Sequence, residues 1–234
     1  MSAIFKRELK SYFSSPIGYV CVGAILFLYG LFYYMVMLNR RSDYIGTQVF
    51  GSMFTWGMMI IPIITMRSLS EERKNKTDQA LITAPVSVTG IVWGKFTAAF
   101  GVYFIATTLA LLPAIVIGMY ASPSWGLIFG NYLGSLLYGA AMISIGVFLS
   151  SLTESQIIAA ITTFGVSIIL LMIDSLAGSV GGFMAQVVSW ISFQARYSPF
   201  TTGTFNVSSI VFFLSVVAIF NFVTARRLES RRWS

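Results

Sequence analysis

Six apolar runs separated by short polar intervals constrain this 234-residue chain more than anything else in it. They extend from Ile17 to Leu38, about Ile45 to Met66, about Phe96 to Tyr120, Trp125 to about Ser151, Ser155 to Ala177 and Val207 to Ala225. Each is near the roughly 20 residues that carry an α-helix across a hydrocarbon layer. Inside lipid a helix satisfies its own backbone polar groups, so the expected fold is an all-α integral membrane protein with six transmembrane helices. Pro62 and Pro113 fall within the second and third runs and predict bends there.

Charge supports this reading. Only 10% of the residues are charged and 56% are hydrophobic, whereas soluble domains carry about 25% charged residues. The first run is too long for the core of a signal peptide and is not followed by a small-residue cleavage site, so it is expected to be retained. The net charge of +7 comes from basic residues that flank the spans, a pattern suited to a lipid surface and not to nucleic acid. Twelve of the 15 basic residues fall on one side if both termini and the interval after the second run are cytoplasmic. These are Lys6, Arg7, Lys10, Arg67, Arg73, Lys74, Lys76, Lys95, Arg226, Arg227, Arg231 and Arg232, against Arg40, Arg41 and Arg196 outside. The positive-inside rule therefore predicts a multi-pass protein of the cell (inner or plasma) membrane with both ends cytoplasmic.

Two cytoplasmic segments are polar enough to do something other than span. Residues 1–16 place Ile4, Phe5, Leu9, Tyr12 and Phe13 on one helical face, with Lys6, Arg7, Glu8 and Lys10 opposite, which predicts an amphipathic helix lying at the interface before Pro16. The interval Arg67 to Ala84, stopped by Pro85, holds seven of the 23 charged side chains. Ser68 or Ser70 can cap a helix there, with Glu71 and Glu72 near its positive end and Arg73 and Lys74 following. Ala80, Leu81 and Ile82 add a short apolar patch. The sequence thus divides into an amphipathic segment 1–16, a membrane domain 17–227 and a basic tail 228–234.

Several chemistries are excluded. The lone cysteine, Cys21, allows no internal disulfide, and the absence of histidine removes imidazole-based metal sites and Ser-His or Cys-His catalysis. Gly90 to Phe96 superficially resembles a phosphate loop, but only three residues separate Gly90 from Gly94, and Phe96 stands where a hydroxyl should hold magnesium. Asp174, near the outer end of the fifth run, is the one strongly ionisable residue well inside a span, and a hydrated helix end accounts for it. Gly126, Gly130 and Gly134 form a small-residue ridge that admits another helix closely. The outer interval Gly178 to Asn206 is too polar for a full span and predicts short helices dipping into the outer interface. The sequon at Asn206 abuts the membrane.

The most specific blocks are Glu71-Glu72-Arg73-Lys74, then Thr77-Asp78-Gln79-Ala80-Leu81-Ile82-Thr83-Ala84-Pro85-Val86-Ser87, then Gly94-Lys95-Phe96. They are similar to the EER-x-x-GT-x-E-x-LLT-x-PV-S…GK-[FY] pattern of ABC-2 type transporter permeases, particularly the gliding-motility and copper-processing-type subgroup. Ser14-Ser15-Pro16-Ile17-Gly18-Tyr19, Ser150 to Gln156, Tyr197-Ser198-Pro199-Phe200 and Leu228 to Trp233 extend the resemblance over nearly the whole chain. Lys76 departs from it where the pattern has glycine, and Ala80 interrupts its leucine run.

The resemblance implies a permease subunit, an exporter more than an importer, forming half of a homo- or heterodimeric membrane unit. Two cytoplasmic ATPase subunits would bind the ATP and magnesium, leaving this chain without a cofactor, metal or catalytic residue of its own. It further implies that the interval after the second span is a coupling helix. Glu71, Glu72, Arg73, Lys74, Thr77, Leu81, Ile82 and Pro85 would then contact the ATPase. From residues alone, a secondary transporter or channel without an ATPase, and a membrane enzyme or scaffold, stay open. A secondary transporter would be expected to carry midplane charges or an inverted repeat.

Overall fold

The computed structural model describes residues 2–38, 45–77, 87–177 and 190–232. The described residues are helical with no strand: α1 (Ser2–Ser14), α2 (Pro16–Leu38), a π-helix (Ile45–Phe50), α3 (Met53–Thr65), α4 (Ser70–Lys74), α5 (Val88–Leu109), α6 (Leu112–Gly118), α7 (Trp125–Leu152), α8 (Gln156–Ala177), α9 (Phe193–Thr201) and α10 (Val207–Arg232). Six stretches are long and apolar enough to cross a membrane, in the expected order.

Three boundaries differ from the sequence expectation. The third span begins at Val88, eight residues before Phe96, because the Ser87 hydroxyl caps it by accepting from the Gly90 amide at 3.2 Å. Lys95 is drawn into the helix with it, since partners from three neighbouring elements meet its ammonium group. The expected bend at Pro113 is a break: α5 ends at Leu109 and α6 starts with Pro113 in its first turn, where a missing N–H costs nothing. Pro62, by contrast, lies inside α3, and the helix runs on through it. At the C-terminus the expected tail is helical, because α10 continues unbroken to Arg232.

The core is built on α7. Of its apolar window 72% is buried inside the fold, against 17% for α8, so α7 is the central post and α8 a peripheral one. Small residues let its neighbours close in. A Cβ at Gly130 would meet the Phe200 carbonyl oxygen and Gly203 Cα at 2.9 Å, and one at Gly134 would meet Phe200 Cβ at 2.7 Å. One at Gly139 would enter the Tyr103 ring and one at Gly146 would meet Thr65 Oγ1. The ridge therefore seats α9, α5 and α3 in turn. Gly126, its expected first member, has nothing within 4 Å of such a Cβ, because α9 crosses one turn further along.

Rings fill the space that the small residues leave. Phe54 stands 4.6 Å from Tyr138 and 5.0 Å from Tyr197, and Tyr29 lies 5.1 Å from Phe50, all centroid to centroid. Buried hydroxyls turn back to carbonyls one turn away, as Thr65 does to Ile61 (3.0 Å) and Thr107 to Tyr103 (2.9 Å). Within the outer interval, α9 packs on α7, α8 and α10 with Phe193, Tyr197 and Phe200 buried.

Candidate functional site

The site sits at the end of the bundle that carries α1, α4 and the last turn of α7, where the polar residues of the sequence gather. Five residues, Ser70 to Lys74, make the helix α4, shorter than the 67–84 interval allows. Its expected cap is not Ser68 or Ser70. Ser70 is itself the first helical residue and its hydroxyl donates to the Met66 carbonyl. Capping comes instead from another helix: Ser150 Oγ on α7 accepts from the Leu69 and Ser70 amides, both at 3.0 Å, and donates to the Met66 carbonyl at 3.1 Å. A buried helix start needs such a partner for its orphan amides.

The other end of α4 closes with a left-handed turn. Lys76 has φ 55°, the Thr77 amide donates to the Glu72 carbonyl at 2.9 Å, and the Lys76 amide donates to Arg73 at 3.1 Å. This pair of bonds is the Schellman closure, whose left-handed position favours glycine. Lys76 thus stands where the residue pattern of similar chains has glycine for a geometric reason.

Charged side chains tie α4 to three further helices. Arg73 donates to the Ser151 carbonyl and to Glu154, each at 3.1 Å, across to the α7–α8 corner. Arg67 pairs with Glu71 at 2.9 Å and donates to Ser11 (2.9 Å) and Ser15 (2.7 Å) around α1. Its guanidinium also lies 5.4 Å from the centre of the Tyr12 ring. The Tyr12 hydroxyl donates to the Ile64 carbonyl at 2.7 Å, and burial pushes its phenol pKa up.

At the centre is Lys95, whose side chain is 1% exposed. Its ammonium meets the Ser68 carbonyl at 2.7 Å, Glu72 at 2.9 Å and Glu8 at 3.3 Å. Arg7 reaches the same two carboxylates, Glu8 at 2.6 Å and Glu72 at 2.9 Å, and its pKa is raised chiefly by the bond to Glu8. These residues line a cleft of about 240 Å³ with Ser11, Tyr12, Arg67, Ser68, Glu71 and Asn75. Three cations face three carboxylates there, so the cleft is near neutral. Among the described residues, no three metal-ligating side chains gather anywhere in the chain.

The structure therefore brings together four of the expected coupling residues, Glu71, Glu72, Arg73 and Lys74. Thr77 closes the turn beside them, its hydroxyl 3.3 Å from the Glu72 carbonyl. Leu81, Ile82 and Pro85 lie outside the described residues, as does the side chain of Asp174 on α8. Sequence reasoning missed Glu8, Ser150 and the internal role of Lys95. The signal for Lys95 was legible in part: a lone lysine with apolar residues on both sides must find a partner once it enters a helix bundle. Gly94 beside it completes the arrangement, because a Cβ there would meet Ile4 Cγ2 at 2.8 Å and hold α1 off α5.

Six membrane-length helices with no strand among the described residues define a polytopic, all-helical membrane protein. The family model for ABC-2 family transporter proteins matches residues 36–225, most of the chain, and the protein belongs to that family. It is accordingly the membrane permease component of an ABC transporter. Comparison with curated proteins finds no match.

Proposed function

We propose that this chain is one half of a dimeric ABC export permease, driven by separate cytoplasmic ATPase subunits that bind the ATP and magnesium. The ATPase docks on α4 and the segment that follows it to Pro85. The observation that carries this reading is the way α4 is held. One short helix between the second and third spans is tied to α7 through Ser150, to α1 through Glu72 and Arg7, and to α5 through Lys95. A partner pressing on α4 therefore acts on three other helices at once, as a coupling element must. The twelve-to-three distribution of basic residues supports a cytoplasmic position for that end, within reach of an ATPase.

Glu71, Glu72, Arg73, Lys74 and Thr77 orient the contact, while Leu81 and Ile82 supply its apolar anchor. The test is co-purification of the ATPase from detergent extract, with membrane expression of each variant as control. Burying an unpaired aspartate costs at least several kcal/mol, so Leu81→Asp should abolish ATPase capture while the spans stay inserted. Lys76→Glu, a change of charge at the rim, should cost only about 0–1 kcal/mol. Full retention of the ATPase by Leu81→Asp would sink the docking assignment.

A further inference from the structure

We propose that Lys95 is a positioning residue that makes α1, α4 and the start of α5 move as one body, so that displacement of α4 is delivered to the third span. The functional part of this inference rests on α4 being the ATPase contact; the mechanical part does not.

An ammonium group has three N–H donors, and Lys95 directs them at three acceptors on three different elements. Ser68 offers its carbonyl in the turn after α3, Glu72 its carboxylate on α4, and Glu8 its carboxylate on α1. The donor itself rises from the second turn of α5. Nearly complete burial removes the water that would otherwise compete for these bonds, so the lysine has no alternative partner in its resting place.

The remaining ties at this end run elsewhere. Ser150 joins α4 to α7, Arg73 joins it to the α7–α8 corner, Arg7 and Arg67 join it to α1 through Glu72 and Glu71, and Tyr12 joins α1 to α3. Among the described residues, no other hydrogen bond or ion pair links α5 to α4 or to the turn before it. Gly94 brings α1 against α5 at the neighbouring position, so the contact that Lys95 makes by charge is backed by close packing. Removing the ammonium should leave α4 seated on α7 yet free of α5.

The experiment measures distances by double electron–electron resonance in a Cys21→Ser background, with the permease in lipid nanodiscs. One label pair, Asn75→Cys with Thr89→Cys, reports the end of α4 against α5. The other, Asn75→Cys with Lys10→Cys, reports it against α1. The parent should show one narrow distribution for each pair. Lys95→Met should broaden or shift the α4–α5 pair, while Arg7 and Arg67 keep the α4–α1 pair narrow.

Glu8→Gln guards against general loosening. It should leave the α4–α5 pair narrow, because Lys95 keeps Ser68 and Glu72. Lys95→Gln stands in if Lys95→Met fails to insert. A narrow, parent-like α4–α5 distribution in Lys95→Met overturns the proposal, as does broadening of that pair in Glu8→Gln. In complex with the ATPase, addition of ATP and vanadate should leave the parent α4–α5 distance unchanged and should change it in Lys95→Met, with ATP hydrolysis retained when vanadate is omitted. An ATPase that never co-purifies with the parent would overturn the docking reading while the nanodisc comparison still decides on Lys95.

Discussion

Lys76 shows how one backbone angle converts a departure from a residue pattern into a prediction. An L side chain at φ 55° pays about 1–2 kcal/mol for crowding against its own carbonyl, which glycine avoids. Glycine also gives the unfolded chain more freedom, which offsets part of that gain. Lys76→Gly should therefore stabilise the end of α4 by about 0.5–1 kcal/mol, read as slower amide exchange across residues 70–77. Tyr138 offers a second test at this scale. Its hydroxyl is fully buried and has no hydrogen-bond partner among the described residues, although its ring packs on Phe54, Phe193 and Tyr197. Tyr138→Phe keeps the ring and removes the stranded group, so the thermal unfolding midpoint should stay level or rise. A clear fall would mean that the hydroxyl does make a bond.

At the level of elements, the prediction concerns how α7 receives its neighbours. An alanine at Gly134 would place its methyl against Phe200 and Tyr197, forcing α9 outward at a cost of about 1–3 kcal/mol. The same change at Gly126 meets open space and should be near neutral. Thermal unfolding of the two variants side by side separates close packing from general glycine flexibility; equal losses would contradict the contact assignment. Ser150 at the other end of α7 acts as a cap supplied from a distance. Ser150→Ala leaves two amides without their acceptor and should cost about 0.5–2 kcal/mol, with faster exchange at Leu69 and Ser70 as its local signature.

The whole molecule is polarised between a basic, heavily cross-linked end and an end closed by α9. Accessibility measures which end faces the cytoplasm. In a Cys21→Ser background, a cysteine at Gln194 should react with a membrane-impermeant thiol reagent in intact cells. Cysteines at Asn75 and Ser230 should react only after lysis. Labelling of Asn75 from outside would reverse the orientation and remove α4 from the reach of any cytoplasmic ATPase.

Periodicity and charge determined most of what was local in this protein. Six apolar runs dictate six helices because no other structure satisfies a single chain segment in lipid. The acid-before-base order of Glu71, Glu72, Arg73 and Lys74 dictates a helix turn where α4 lies. What composition and spacing could not disclose were the partners across the bundle. Lys95 read as a flanking charge, because hydropathy weighs a residue by its neighbours in sequence, whereas its acceptors come from Glu8, Ser68 and Glu72, as many as 87 positions away. Ser150 read as the polar end of a span, yet it caps a helix 80 residues earlier. Gly130 and Gly134 were legible as a surface for close approach, but only the position of α9 decided which glycines of the ridge are used. Those assignments depend on which helix lies beside which, and that is settled by tertiary packing.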